Sequence, residues 1–285
     1  MAQDATPLWP QMTAAQRAAA YSPSTMVEGG DLGPYLRAYA DQSATAYAEL
    51  DVQTLHYGPC ASQTIDVTLP KADQPTALHV FVHGGYWQQL SKRDSFFPAP
   101  QMVAQGTAFA ALDYTLAPYA TLDEIVLEVV AALRHLKSKA KQLNIDPAGI
   151  VVSGSSAGAQ LAAMATLNME PAGRPSGVAL LSGIYDLRPL VGTYINDALG
   201  LDEAAACAQS PAMRPLEGFP PAVVTWGAQD TDEFKRQSRQ FAQLLRDAGV
   251  EVESFEVPAR NHFDVVHDLA GDTPLGRAVS RLSDI

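Results

Sequence analysis

The chain has 285 residues, of which 47% are hydrophobic and 18% are charged, so it holds enough apolar material to bury a large core. Its net charge of -12 argues against a nucleic-acid partner, because an acidic surface repels phosphate. No stretch reaches the roughly 18 consecutive apolar residues that a membrane helix requires, and residues 1–10 lack the pattern of a signal peptide. We therefore expect a cytoplasmic protein without membrane or nucleic-acid partners.

Composition marks no domain boundary, so residues 1–285 are expected to form a single domain. Residues 13–20 and 31–50 are Ala-rich and predict helices. Strand-like runs follow at 53–57 and 63–69. In the second run Ile65, Val67 and Leu69 alternate with Asp66 and Thr68, which predicts a half-buried antiparallel strand.

After residue 69 the alternation gives way to short, continuous apolar runs. Such runs are typical of parallel strands that are covered on both faces. Helical patterns lie between several of them, at 121–143, 157–168 and 232–248. Thr121 and Glu124 form a capping-box pattern, and Gly249 suits a left-handed helix end. The apolar runs are 77–82, 108–112, 149–152, 178–181 and 222–226, with a last strand at 251–257. The pattern predicts an α/β fold with a mainly parallel sheet, helices on both faces and an N-terminal antiparallel strand pair.

Residues 154–158 read Gly-Ser-Ser-Ala-Gly and stand between a predicted strand and a predicted helix. This G-x-S-x-G pattern in a strand–turn–helix context is typical of a nucleophile elbow, in which a sharp turn exposes the central serine. The alternative is an ordinary glycine-rich turn. The pattern makes Ser156 the candidate nucleophile.

Residues 83–87 read His-Gly-Gly-Tyr-Trp and follow an earlier strand, where an oxyanion loop should lie. The candidate oxyanion hole comprises Gly84, Gly85, Tyr86 and Ala157, with Gly84 shaping the turn and the others donating N–H groups. His83 is expected to be structural and to hold the loop through its ring nitrogens, because a hydrolase base follows the serine in the chain.

Asp230 follows the predicted strand at 222–226 and precedes a helix, so its carboxylate could orient a catalytic base. The alternative is a plain helix N-cap. Asp232 and Glu233 are rivals, but both are expected in the first helical turn.

His262 follows the last predicted strand and is the candidate base, which gives the chain order Ser156, Asp230, His262. His267 is the rival, and it is expected on a helix facing solvent. Asp264 and Asp268 lie nearby, but their spacing with the two histidines matches no common metal motif. We therefore expect neither a metal nor another cofactor.

Taken together, these motifs resemble the kynurenine formamidase (arylformamidase) branch of the α/β-hydrolases. HGGYW at 83–87 is the most specific of them and G-x-S-x-G the least. The resemblance covers nearly the whole chain. It rests also on the segments 21–24, 113–118, 182–187, 233–238 and 261–264.

The resemblance implies a serine hydrolase that cleaves N-formyl-L-kynurenine to kynurenine and formate in tryptophan breakdown. It also implies side activity on small aryl esters. Substrate-binding candidates, chosen because they adjoin motifs, are Tyr86, Trp87, Tyr185 and Phe234. The sequence leaves open a general carboxylesterase, a lactonase or thioesterase, and a non-catalytic binding protein. It also allows a homodimer, and a helical segment at 1–50 that acts as a lid.

Overall fold

The computed structural model describes residues 9–283, so most of the segment 1–10 lies outside the described residues. Within these residues, eight strands form one sheet in the order β1-β2-β4-β3-β5-β6-β7-β8. The strands are β1 (Val52–His56), β2 (Thr64–Thr68), β3 (Thr76–Val82), β4 (Ala108–Leu112), β5 (Ile145–Ser155), β6 (Gly177–Leu181), β7 (Ala222–Gly227) and β8 (Val252–Val257).

Pairing within the sheet confirms the predicted topology. Strand β2 runs antiparallel to both β1 and β4. Every other neighbouring pair is parallel. Because parallel strands end at the same edge of a sheet, the loops that follow β3, β5, β7 and β8 meet there.

Strand β2 corrects one expectation. All five of its residues are buried, although the alternation of polar and apolar residues predicted a solvent-facing side. The Asp66 carboxylate is held inside by the Lys92 ammonium at 2.7 Å and by the Tyr47 and Thr54 hydroxyls at 2.8 and 2.6 Å. Burial by itself raises the pKa of Asp66, but these hydrogen bonds outweigh burial and lower it.

The described residues contain eight α-helices, and the three predicted between the later strands are present. Helix α4 begins with the expected capping box of Thr121 and Glu124 and ends at Lys139, four residues earlier than predicted. The helices are α1 (Ala14–Ala20), α2 (Gly33–Glu49), α3 (Ala99–Ala104), α4 (Leu122–Lys139), α5 (Ala157–Leu167), α6 (Glu203–Ala208), α7 (Asp232–Asp247) and α8 (Pro274–Ser280). None of them is long and apolar enough to cross a membrane.

Two apolar cores lie on opposite faces of the sheet, which confirms the expected helices on both sides. Alternate residues of β3 show the division. Leu78 and Val80 pack into the core that contains α4, α5 and α7. Phe81 packs into the other core, with side chains of α2, α3 and α8. The N-terminal helix α2 therefore belongs to the face that also carries the C-terminal helix.

Candidate active site

Ser156 lies at a sharp turn between β5 and α5. Its backbone angles are φ 57° and ψ −121°, a strained conformation for a residue with a side chain. A Cβ atom on Gly158 would lie 2.1 Å from the Val82 carbonyl oxygen, so only glycine allows α5 to pack this closely against β3. The turn therefore has the geometry of the predicted elbow.

The Ser156 backbone is fixed while its hydroxyl is left available. Its N–H donates to the Leu181 carbonyl at 2.8 Å. Within residues 9–283 the Ser156 hydroxyl has no hydrogen-bond partner, and Ser156 lines a cavity that His262 also lines. A nucleophile and its base must come within hydrogen-bonding reach when substrate is bound, and lining the same cavity places both residues at one site.

Asp230 and His262 form a buried pair. The His262 Nδ1 atom lies 3.0 and 3.1 Å from the two carboxylate oxygens of Asp230, which is fully buried. The carboxylate also accepts the Thr231 N–H at 2.8 Å. This pairing assigns the ring proton to Nδ1 and leaves Nε2 as the acceptor nitrogen.

The rival acids have other positions and partners. Both lie in the first turn of α7, as expected. The Asp232 side chain is exposed. Glu233 is buried, and its carboxylate accepts the Arg236 guanidinium and the Tyr21 hydroxyl, each at 2.8 Å. Within residues 9–283, the carboxylate that is hydrogen-bonded to His262 is that of Asp230.

Helix α2 holds the loop that carries His262. The sequence predicted this helix but not its contact with the loop. The Asn261 amide donates to the Tyr35 hydroxyl at 2.7 Å. The Tyr39 hydroxyl donates to the Phe263 carbonyl. Because these contacts fall on both sides of His262, α2 fixes the loop against the sheet.

The loop at 83–87 brings backbone donors to the elbow. In the described part of the chain, no hydrogen bond uses the N–H groups of Gly85, Tyr86 or Ala157. A Cβ atom on Gly84 would lie 3.2 Å from the Ser156 Cβ, so the loop passes directly beside the serine. Free N–H groups in this position can stabilise a negative oxygen on a carbon attached to Ser156.

Buried contacts fix the shape of this loop. The His83 Nδ1 atom donates to the Gly84 carbonyl at 2.9 Å. The His83 ring stacks on the Tyr114 ring, with 4.2 Å between the ring centroids. The Trp87 indole N–H donates to the Gln160 side chain at 2.9 Å. Burial lowers the pKa of His83 to about 4, so the ring is neutral near pH 7.

His83 departs from expectation in one respect. Among the described residues only Nδ1 has a hydrogen-bond partner, whereas both ring nitrogens were expected to hold the loop. The buried Nε2 atom has no hydrogen-bond partner among the described residues and lies 3.9 Å from a carboxylate oxygen of Asp113. One nitrogen and the stacked ring therefore hold the loop.

The expectation that His267 faces solvent is wrong. It lies in a 3-10 helix, Val265–Asp268, and its ring contacts the rings of Phe97 and Tyr39 at 4.8 and 5.7 Å. His267 therefore packs behind Tyr39 and Phe97, which line the cavity. Burial lowers the pKa of His267.

The acidic residues near His262 have partners of their own. Asp268 pairs with the Arg260 guanidinium at 2.6 and 3.0 Å. Asp264 accepts the Asn261 N–H at 2.6 Å. Among residues 9–283, no group of three or more His, Cys, Asp and Glu side chains is arranged to hold a metal ion.

The cavity above Ser156 has a volume of about 260 Å³, just below the range of roughly 300–1,000 Å³ that is usual for ligand pockets. Its walls are rich in aromatic rings. The rings belong to Tyr39, Phe81, Tyr86, Phe97, Tyr194 and Phe263.

Of the substrate-binding candidates, the structure brings only Tyr86 to the cavity. Trp87 is fully buried beneath the loop by its bond to Gln160. Tyr185 stacks on Phe241 at 4.3 Å in the core. Phe234 is buried too, and its ring packs edge-on against His262 at 4.5 Å. These three side chains support the site from behind, because packing turned each of them towards a core.

Much of the wall comes from the N-terminal segment. Residues 22–24 line the cavity, and so do Leu32, Leu36 and Tyr39 of helix α2 and the loop before it. The spacing of these three residues places them on one helix face, a signal that is visible in the sequence. The sequence does not show that this face points to Ser156.

Known proteins resemble this chain over most of its length. A family model described as the alpha/beta hydrolase fold matches residues 79–265. A kynurenine formamidase from Danio rerio is 30% identical over 94% of this chain and 95% of its own. Esterase LipQ from Mycobacterium tuberculosis is 29% identical over 65% of this chain and 49% of its own.

A solved structure resembles the fold closely. The crystal structure of a Silicibacter protein assigned as a thioesterase is 27% identical and superposes with a TM-score of 0.80. The match covers 92% of this chain and 98% of that one. The sequence motifs, the sheet order and these relatives agree, and the chain is a hydrolase that belongs to the kynurenine formamidase family of the α/β-hydrolases.

Proposed function

We propose that the protein hydrolyses N-formyl-L-kynurenine to L-kynurenine and formate. Ser156 acts as the nucleophile, His262 as the general base and acid, and Asp230 as the carboxylate that orients His262. The observation that carries this proposal is the cavity lined by both Ser156 and the His262 ring that Asp230 holds. The formamidase relatives supply the substrate class.

In the first step the Ser156 hydroxyl attacks the formyl carbon and gives its proton to Nε2 of His262. The carbonyl electrons move onto oxygen, which the N–H groups of Gly85, Tyr86 and Ala157 stabilise, while Gly84 shapes the loop. Because these donors are already in place, they need no reorganisation, and the loss of one should cost about 3 kcal/mol in the transition state.

In the second step the carbon–nitrogen bond breaks, and His262 returns the proton to the leaving arylamine. A formyl group remains on Ser156. Water then gives a proton to His262 and attacks the formyl carbon. The bond between that carbon and the Ser156 oxygen breaks, His262 returns the proton to the Ser156 oxygen, and formic acid leaves and ionises at neutral pH. Asp230 stabilises the imidazolium form of His262 in both steps, because the buried carboxylate lies against Nδ1.

The oxyanion loop passes directly beside the nucleophile, since a Cβ atom on Gly84 would lie 3.2 Å from the Ser156 Cβ. The formamidase relatives support a small acyl group. A general carboxylesterase with the same triad is the second candidate, and the esterase relative favours it. A lactonase or thioesterase would differ only in its leaving group.

We also propose that residues 9–283 act as one catalytic domain in which the N-terminal segment is a fixed cover. Arg17 donates to the Pro189 and Val191 carbonyls, each at 2.8 Å. The Thr231 hydroxyl donates to the Ala20 carbonyl at 2.8 Å. These bonds tie the segment to the loop at 188–191 and to the start of α7, beside Asp230.

A cytoplasmic location stays a prediction. The two cysteines, Cys60 and Cys207, are free and exposed, which suits a reducing compartment. A homodimer also stays a prediction, which light scattering after size-exclusion chromatography would test.

The proposed function is tested by assaying the purified protein on N-formyl-L-kynurenine and on p-nitrophenyl acetate, with EDTA present. We expect kcat/KM for the formamide of ~10⁴ M⁻¹s⁻¹ or more, the ordinary range for enzymes. Cleavage of the ester alone would contradict the formamidase proposal and favour the carboxylesterase. Loss of formamide cleavage with EDTA would contradict the metal-free mechanism.

A further inference from the structure

The described lining of the cavity carries a single fixed charge. Among the described residues that line it, Asp94 is the only one with an acidic or basic side chain apart from His262. None of them is a lysine or an arginine. The rest of the described lining is aromatic, aliphatic or neutral and polar, so the Asp94 carboxylate is its dominant charge.

The neighbouring cations do not neutralise Asp94. Both turn towards the buried Asp66 instead, Lys92 at 2.7 Å and Arg93 at 3.9 Å. One oxygen of Asp94 accepts the Ser91 hydroxyl at 2.8 Å, which orients the carboxylate. No cation within residues 9–283 forms an ion pair with it.

An unpaired carboxylate in a partly closed, apolar cavity favours a cationic ligand, because a charge there is less screened than one in water. An ammonium group would form a charge-assisted hydrogen bond to Asp94, a stronger bond than one between neutral groups. A ligand carboxylate would meet the like charge of Asp94 and no cation in the described lining. The cavity is thus built for a positive group.

We propose that Asp94 selects substrates whose leaving group carries a protonated amine remote from the bond that is cleaved. This inference rests on the proposed hydrolysis at Ser156. It adds a residue that determines specificity. It also assigns different contributions to the two charged groups of an amino-acid substrate. The ammonium group is recognised, whereas the carboxylate contributes little.

The test compares three formamides that share one aryl core. The first is N-formyl-L-kynurenine, the second lacks its carboxylate and the third lacks its amine. We expect the first two to be cleaved with similar kcat/KM and the third to be slower by roughly 10- to 100-fold, the range for one hydrogen bond to a charged group. Asp94→Asn should bring the ratio between the second and third compounds close to one.

Asp73→Asn is the matched control. Asp73 is exposed and precedes β3, at the opposite end of the strand from the loop at 83–87. The Asp73→Asn substitution removes one negative charge, as Asp94→Asn does, but leaves the cavity unchanged. The selectivity ratio should therefore stay at the wild-type value. Equal kcat/KM for the second and third compounds in the wild type, or a ratio that Asp94→Asn leaves unchanged, would overturn the proposal.

Two further measurements separate this proposal from its foundation. If no formamide is cleaved, the acetate ester of tyramine and p-tolyl acetate repeat the comparison on esters, so the role of Asp94 can be judged when the formamidase activity fails. If Asp94→Asn does not fold, inhibition of the wild type by 2-phenylethylammonium and by 2-phenylethanol takes its place. Stronger inhibition by the cation is expected, and equal inhibition would contradict the proposal.

Discussion

The loops that carry the proposed triad and the wall of the cavity are built in different ways. Ser156, Asp230 and His262 each follow a parallel strand, so local motifs and the sheet topology bring them to one edge. The wall combines side chains that are far apart in the sequence, from Ser22 to Val266. Short motifs therefore predict the proposed chemistry, whereas substrate preference depends on long-range packing.

The largest effect expected is at the nucleophile. Ser156→Ala should lower kcat at least about 10⁴-fold on formamide and ester alike, because the covalent step is lost. The change removes one oxygen from a surface cavity, so the melting temperature should stay near the wild-type value. Steady-state and burst kinetics measure the effect. Ser155→Ala, one residue earlier in the same turn, is the matched control, and an equal loss there would contradict the assignment.

Asp230→Asn tests the second part of the catalytic region. An amide cannot stabilise the imidazolium form of His262 and can hold the wrong tautomer, so kcat should fall by roughly 10⁴-fold. The substrate KM should change little, because Asp230 does not line the cavity. The neighbouring Asp232 side chain is exposed, so the Asp232→Asn variant should have wild-type kcat and KM. A loss confined to KM would place Asp230 in substrate binding instead.

Asp113 lies between the segment that carries Lys92 and the loop at 83–87. Its carboxylate accepts the Lys92 N–H at 2.6 Å and lies 3.9 Å from Nε2 of His83. Burial raises the pKa of Asp113 to about 6, well above the roughly 3.9 of an unfolded aspartate. The folded state therefore holds the proton more tightly, and the stability associated with this group is lost as the pH rises through about 6.

Asp113→Asn keeps an oxygen for the Lys92 N–H but cannot ionise. Its free energy of unfolding should exceed that of the wild type by about 1–3 kcal/mol at pH 8, and this advantage should shrink as the pH falls towards 4. Urea unfolding at several pH values measures the difference. An advantage that does not vary with pH would contradict the account.

The smallest effect expected is in the wall. Tyr39→Phe removes the hydroxyl that donates to the Phe263 carbonyl beside His262, so stability should fall by about 1 kcal/mol and kcat by less than about tenfold. Tyr47→Phe is the control. Tyr47 also lies on α2, but its hydroxyl donates to Asp66, which does not line the cavity. Equal kinetic losses in both variants would show that α2 does not position the histidine loop.

The same contrast explains how far the sequence could be interpreted. The apolar runs and the helical patterns predicted the sheet, because parallel strands and their covering helices have local signatures. Strand β2 was misjudged as half-buried, since the polar Asp66 looks solvated until Lys92, from a loop 26 residues later, is placed against it.

The site divides in the same way. The motifs predicted the pairing of Asp230 with His262 and the path of the loop at 83–87. They did not predict the wall, because adjacency to a motif does not decide which way a side chain turns. Trp87, Tyr185 and Phe234 turned inwards, whereas Leu36 and Asp94 reached the cavity without any motif to mark them.

The most direct test of the central claim is covalent labelling with a fluorophosphonate, in which a serine oxygen displaces fluoride from phosphorus. Peptide mass mapping should locate a single adduct on Ser156. N-formyl-L-kynurenine should slow labelling, and formamide cleavage should fall in proportion to the labelled fraction. An adduct on another residue, or full formamide cleavage by the labelled protein, would contradict the account.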